Sequence, residues 1–345
     1  MKPINFCRIK RVAAICLICL LSSVMPGCIQ DDLSVCGLRV MLRYAERNAT
    51  QDVNRFASDV KQVSLFIFDA ETDLFLSEQS ATVDQMIDNC MLSLNVFPGD
   101  YHFVAWGNVA EDYEFEPFIK GQTTLDEAII TLKAQNNMVD EYPDDLYFGS
   151  KTYTVLPDLQ ANQQIVIDLV NNTKRIHVIA TGLYDENSIL EEDPQNPTFR
   201  AEISSRNGRY TFDNNPDPTG GQYTYIPRER FEVITEGGDE EGALLSDFVV
   251  LRETSIKEAT NSSLRIYHRG NTRAGGEGEE EFYSVSLTDL LLIVASLEET
   301  TIENKDEFTL NIFINKTNGS VTIRVNEWTP VPVPGGEFGN GILGY

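Results

Sequence analysis

The sequence predicts a mainly β chain of two domains. Three observations carry this. Segment after segment alternates apolar and polar residues at period two, which marks strands with one face on a core. Helical patterns are few. About 318 residues follow the first 27, more than the roughly 250 over which one core usually grows.

Taken in order, the chain begins with a targeting pattern. Lys2, Arg8, Lys10 and Arg11 precede an apolar run of 14 residues, Val12–Met25. A membrane-spanning helix needs about 20 apolar residues. A basic start, a short apolar middle and a small-residue end describe a secretory signal peptide instead. In "VMPGCIQDD" (24–32) a small residue, Gly27, stands directly before Cys28, as in a lipoprotein box, although Pro26 is unusual there. Cys28 is thus the expected lipidation site, and residues 28–36 the tether. An ordinary secretory signal with a chance cysteine is the alternative.

The net charge of the whole chain is -26. The first 27 residues hold four basic residues and no acidic one, so the remainder of the chain is more acidic still. Such a surface is repelled by nucleic acid and by anionic lipid. Membrane attachment then depends on acyl chains, several of which hold firmly where one is marginal. Cys7, Cys16 and Cys19 leave with the signal, and Cys36 and Cys90 remain. An even pair in an oxidising compartment is a candidate disulfide, worth roughly 3–4 kcal/mol over such a loop. Two separate buried thiols are the alternative.

In the body, "QVSLFIFD" (62–69) sets Val63, Leu65 and Ile67 on one face and Phe66 and Phe68 on the other, so both faces are expected to be covered. "MLSLNVFPGDYHFVAWG" (91–107) reads as two strands joined at Pro98-Gly99-Asp100, a turn-favouring run. "TLDEAIITLKA" (124–134) reads as a helix, because Thr124 and Glu127 have capping-box spacing. In "PDDLYFG" (143–149) acids precede aromatics, as at a strand entry; a sugar or calcium site at Asp144 and Asp145 is the sharper alternative. "QQIVIDLV" (163–170) and "KRIHVIATGL" (174–183) alternate, as do 198–204, 208–214, 308–315 and 320–326. "SLTDLLLIVASL" (286–297) fits a short buried helix. Stretches 192–199, 214–221, 235–243 and 273–281 are turn-rich or acidic and read as solvated loops. The change at "VNNTKR" (170–175) is the expected boundary, giving domains 37–170 and 171–345.

Catalytic patterns are missing from the sequence. His102, His177 and His268 each lie inside an expected strand, far apart in the chain. There is no H-E-x-x-H, no G-x-S-x-G and no P-loop, and no C-x-x-C after the signal. Trp106 and Trp328 sit at strand ends and read as core rather than as ligand platforms. The expectation is a non-enzyme without metal or cofactor.

Several stretches combine into a resemblance. "CIQDDLSVCGLRVMLRY" (28–44), "FASDVKQVSLFIFDAET" (56–72), "LNVFPGDYHFVAWGNV" (94–109) and "DDLYFGS" (144–150) resemble the N-terminal part of the FimB/Mfa2 family of Bacteroidales. "VNNTKRIHVIATGL" (170–183), "FRAEISSRNGRYTFDN" (199–214) and "EFTLNIFINKTNGSVTIRVNEWTPV" (307–331) resemble the rest. The resemblance implies two transthyretin-like β-sandwich domains on a lipidated N-terminus. It implies a place at the outer-membrane surface, at the base of a type V fimbria, holding the fibre and limiting its length. It gives Asp31 and Asp32, just after Cys28, the role of a surface-export signal; a plain polar tether is the alternative. The implied partners are fimbrial shaft subunits joined by strand addition, and the outer membrane through the lipid. Arg39, Arg43, Arg47 and Arg55 are places where the arginine cleavage of major subunits would act. The tail "VPVPGGEFGNGILGY" (331–345) is too rich in proline and glycine for a donor strand, which suits a terminating subunit. Rival readings are a surface glycan-binding lipoprotein and a tip or accessory adhesin.

Overall fold

The computed structural model describes residues 37–45, 53–156, 163–184, 189, 192–194, 196–236, 239–271, 277–315, 320–325, 329–332 and 337–338. As the alternation predicts, the protein is mainly β. The first half contains β1 (Leu38–Tyr44), β2 (Gln62–Asp69), β3 (Phe75–Thr82), β4 (Met91–Leu94), β5 (Gly99–Gly107), β6 (Tyr113–Phe115), β7 (Ile129–Leu132), β8 (Met138–Val139), β9 (Tyr147–Val155) and β10 (Gln164–Asn171). The second contains β11 (Thr173–Thr181), β12 (Phe199–Ser205), β13 (Arg209–Thr211), β14 (Tyr223–Tyr225), β15 (Arg228–Glu236), β16 (Asp239–Leu251), β17 (Ser263–Asn271), β18 (Glu277–Ser286), β19 (Glu307–Asn315), β20 (Ser320–Val325), β21 (Thr329–Pro332) and β22 (Glu337–Phe338). Among the described residues the α-helices are α1 (Phe56–Asp59), α2 (Lys257–Thr260) and α3 (Leu287–Leu297).

The first sheet runs β3-β2-β5-β9-β10-β1-β4. It folds over at β10, whose last two residues pair with β9 while the rest pairs in parallel with β1. This corner turns β10-β1-β4 back over β9-β5-β2. Leu38, Val40 and Leu42 of β1 thus meet Val63, Leu65 and Ile67 of β2 and Phe103 of β5 in one core. The far face of β2 and β5 is covered too. Phe66, Phe68 and Trp106 pack there with Phe115, Phe118 and Phe212. The double-sided burial expected of 62–69 is therefore present.

The second half has two six-stranded sheets, β15-β16-β11-β19-β20-β21 and β22-β18-β17-β12-β14-β8. A small sheet, β13-β7-β6, completes the set. β8 joins a sheet made otherwise from the second half, and β13 joins two strands from the first, so the halves exchange edge strands. The expected buried helix is α3, capped where Ser286 Oγ accepts the Asp289 N–H at 3.3 Å.

Three expectations are corrected. The helix expected over 124–134 is a single turn: Glu127 Oε2 accepts the Thr124 N–H at 3.0 Å, and Ile129–Leu132 then runs as β7. The β-branched run Ile129-Ile130-Thr131 favours a strand, and β6 and β13 supply partners on both sides. The acidic stretch 235–243 is largely a hairpin, because Glu236 pairs with Asp239. The intervening Gly-Gly of the sequence is a two-residue hairpin signal. Glu279, Glu280 and Glu281 lie in β18, opposite Arg269, His268 and Tyr267. Arg200 and Arg269 both reach Glu279, at 2.6 and 3.3 Å, which makes an acidic strand tolerable.

Glu229 of β15 crosses to the other six-stranded sheet, accepting the Ala201 N–H of β12 and lying 3.4 Å from Arg269 Nη2. Burial raises its pKa to about 7, against the opposing pull of the Ala201 N–H and Arg269. A raised carboxyl pKa means the folded state holds the proton more tightly. The associated stability is present below the ordinary value near 4.5 and is lost as pH rises through about 7. The expected loss is about 3 kcal/mol. In thermal melts, Glu229→Gln should gain stability relative to the wild type on going from pH 5 to pH 8. A pH-independent difference would refute the assignment.

Candidate functional site

The first candidate region is the strand that receives the tether. β1 is an interior strand, parallel to β10 through Arg39↔Gln164 to Tyr44↔Leu169 and antiparallel to β4 through Leu38↔Leu94 to Met41↔Met91. Its alternating Leu38, Val40, Leu42 and Tyr44 are all buried. A force applied through residue 37 would therefore load the β1 ladders on both sides lengthwise. Cys28, Asp31, Asp32 and Cys36 lie outside the described residues.

Cys90 is described, half-buried beside the core, with its thiol pKa raised by burial. Its carbonyl accepts the Leu42 N–H at 2.8 Å. Gly37, the neighbour of Cys36, sits at the other end of the same ladder, where an added Cβ would stand 2.5 Å from the Leu94 carbonyl oxygen. Leu42 lies five residues along β1 from Gly37, roughly 16 Å.

The second candidate region is the junction at 170–175. Asn172, Thr173 and Lys174 are all but fully buried. Asn172 exchanges side-chain amide bonds with Asn214, its N–H donates to the Leu146 carbonyl at 2.6 Å, and its own carbonyl accepts the Arg252 N–H at 2.7 Å. Lys174 Nζ donates to the Lys305 carbonyl at 2.5 Å and lies 3.3 Å from Asp306 Oδ1. The segment 170–175 is thus a stitched joint whose polar atoms bond to elements on both sides.

A polar cleft of about 500 Å³ opens at this joint between Tyr147, Asp145, Arg175 and Asp306. Arg175 Nη2 donates to both Asp145 oxygens at 2.9 and 3.0 Å, and Thr173 Oγ1 donates to Asp145 at 2.9 Å. Asp144 pairs with Lys61 at 2.6 Å. Both acids of "PDDLYFG" are engaged in ion pairs, and Leu146, Tyr147 and Phe148 are buried where β9 begins, as a strand entry requires. Trp106 is fully buried; Trp328 lies outside the described residues. His102, His177 and His268 lie in β5, β11 and β17. Among the described residues no group of three or more His, Cys, Asp or Glu is arranged to hold a metal, and no helix is long and apolar enough to cross a membrane.

A family model described as fimbrillin-A associated anchor proteins Mfa1 and Mfa2 matches residues 33–333. Among solved structures, a provisionally named adhesin from Bacteroides ovatus is similar at 21% identity and TM-score 0.66, covering 89% of this chain and 98% of its own. The fimbrial anchor protein Mfa2 from Porphyromonas gingivalis is similar at 16% identity and TM-score 0.62, covering 86% of this chain and 100% of its own. A provisionally named polysaccharide-binding protein from Bacteroides thetaiotaomicron is similar at 18% identity and TM-score 0.62, covering 86% and 98%. At these identities the structures show a shared fold. No curated protein matches the chain.

Proposed function

Because the chain belongs to the family of fimbrillin-A associated anchor proteins Mfa1 and Mfa2, a family of fimbrial accessory proteins, we propose that it is an outer-membrane lipoprotein that holds a fimbria to the cell surface and limits its length. The family match across residues 33–333 carries this reading. The diacylated Cys28 is the membrane end, Asp31 and Asp32 direct export to the outer leaflet, and shaft subunits join the body by strand addition. The chain divides at residue 170 into two sandwich domains joined by the stitched segment. Nothing in its role calls for catalysis.

Two features support a load-bearing, terminating subunit. The tether leads into an interior strand rather than an edge. At the other end of the chain, β21 pairs with β20 and carries Pro330 and Pro332 opposite Arg324 and Thr322. Proline has no N–H, so it sits in a strand where its nitrogen points away from the partner. The outer edge of β21 therefore lacks two donors, which discourages further strand pairing.

On this reading β1 stays in place, with Arg39 paired to β4 and β10 and Arg43 paired to β10. An arginine-specific protease should spare the bonds after both residues in the native protein and cut them once urea unfolds it. Native cleavage at either, detected by mass spectrometry, would mean that β1 is released. Deleting the gene should move the major fimbrial subunit from washed cells into the medium on longer fibres. Fibres that stay on the cells unchanged would refute the anchor. A surface glycan-binding lipoprotein is favoured by one observation, the polar cleft beside Asp145 and Arg175. Saturable binding to a glycan array, lost in Arg175→Ala, would support it over the anchor or an adhesin.

A further inference from the structure

Among the large apolar side chains exposed in the described residues, Phe97 is the most exposed, at 86%, and the one aromatic. It stands in the connection between β4 and β5, and the chain around it is fixed. The Phe97 carbonyl accepts the Tyr101 hydroxyl at 2.8 Å, and Tyr101 is itself buried. The phenyl ring is thus held out in water by a supported loop, where an ordinary core residue would turn inward.

Its position is specific. β4 ends at Leu94, opposite Leu38, so Phe97 lies just beyond the start of β1. Leu156, 55% exposed, stands at the same end. Val155 pairs with Gly99, two residues after Phe97. The Leu156 N–H and carbonyl are both held by the Gln163 side-chain amide at 2.9 Å, and the Gln163 carbonyl accepts the Arg39 N–H at 2.9 Å. The two exposed apolar side chains and the point where the tether enters therefore share one end of the sandwich. Cys28 stands nine residues before Gly37. Nine extended residues span at most about 30 Å, which keeps this end close to whatever surface holds the cysteine.

We propose that Phe97 and Leu156 form an apolar tip that seats in the head-group layer of the membrane to which the chain is tethered, fixing the body's orientation at the surface. The inference rests on the lipid-tether reading of Cys28. The strongly acidic chain excludes electrostatic attraction to anionic lipid, so the contact is apolar and suits zwitterionic head groups, where aromatic and aliphatic side chains enter the interface. Two side chains would hold weakly alone. The tether raises their effective concentration at the surface, so a weak contact is occupied most of the time.

The test uses the lipidated protein in phosphatidylcholine vesicles containing a brominated phosphatidylcholine. Emission added by Phe97→Trp should be quenched several-fold more than emission added by Val53→Trp, an exposed residue at the opposite end of β1. Both positions are more than half exposed, so both variants should fold. Protein that floats with the vesicles while the two positions quench equally, or not at all, overturns the tip and leaves the tether standing. Protein that does not float overturns the tether reading and the tip with it.

Discussion

Replacing Trp106 by alanine should lower the unfolding free energy by about 3–5 kcal/mol, the usual range for deleting a buried aromatic side chain. Trp106 is fully buried, with ring centroids 4.8 Å from Phe148 and 5.8 Å from Phe212. It joins residues from both halves of the chain in one core. Its indole Nε1 is buried without a hydrogen-bond partner. Trp106→Phe therefore removes volume but also removes an unsatisfied donor, which costs about 1–3 kcal/mol to bury. Urea titration should show the alanine variant far weaker than the phenylalanine one. Equal losses would mean that the indole N–H matters. An alanine variant of native stability would mean that the residue is not core.

The second large effect is expected at the stitched joint. Lys174 is wholly buried, whereas the Asp306 side chain is 23% exposed. Asp306→Ala removes one carboxylate from a buried ammonium that keeps the Lys305 carbonyl and the charge of the buried Glu253. Breaking buried pairs from one side costs about 3–5 kcal/mol, and the partial exposure of Asp306 places this case near the lower end. Lys174→Met removes the buried charge instead; Asp306 can turn to water, and Glu253, whose pKa burial already raises, can hold a proton, so this variant should lose less than Asp306→Ala. The asymmetry between the variants, read as a difference in Tm, is the result to look for. A lysine variant as damaged as the aspartate variant would contradict it.

The sequence carried the strands whose one face is buried, because period-two alternation records that burial directly. Residues 62–69 also showed their second buried face through Phe66 and Phe68. The misread elements failed for local reasons. At 124–134 the capping signal was real but reached only one turn, and partners on both sides drew Ile129–Leu132 into a sheet. At 277–281 acidic composition suggested solvent, and the compensating arginines lie on strands far away in sequence. The junction at 170–175 was visible as a change of pattern, yet its rigidity depends on Asn214, Arg252 and Asp306, which no local window contains. The tip at Phe97 was likewise hidden, since Pro98-Gly99 marks a turn but not which way the phenylalanine faces.

The central claim is that this chain holds the fibre through the lipid on Cys28. The most direct measurement complements the deletion strain with a Cys28→Ala protein and follows the major fimbrial subunit in washed cells and in the medium. The account expects fibres in the medium with the unlipidated chain still bound to them. Fibres retained on the cells at the wild-type level would contradict it.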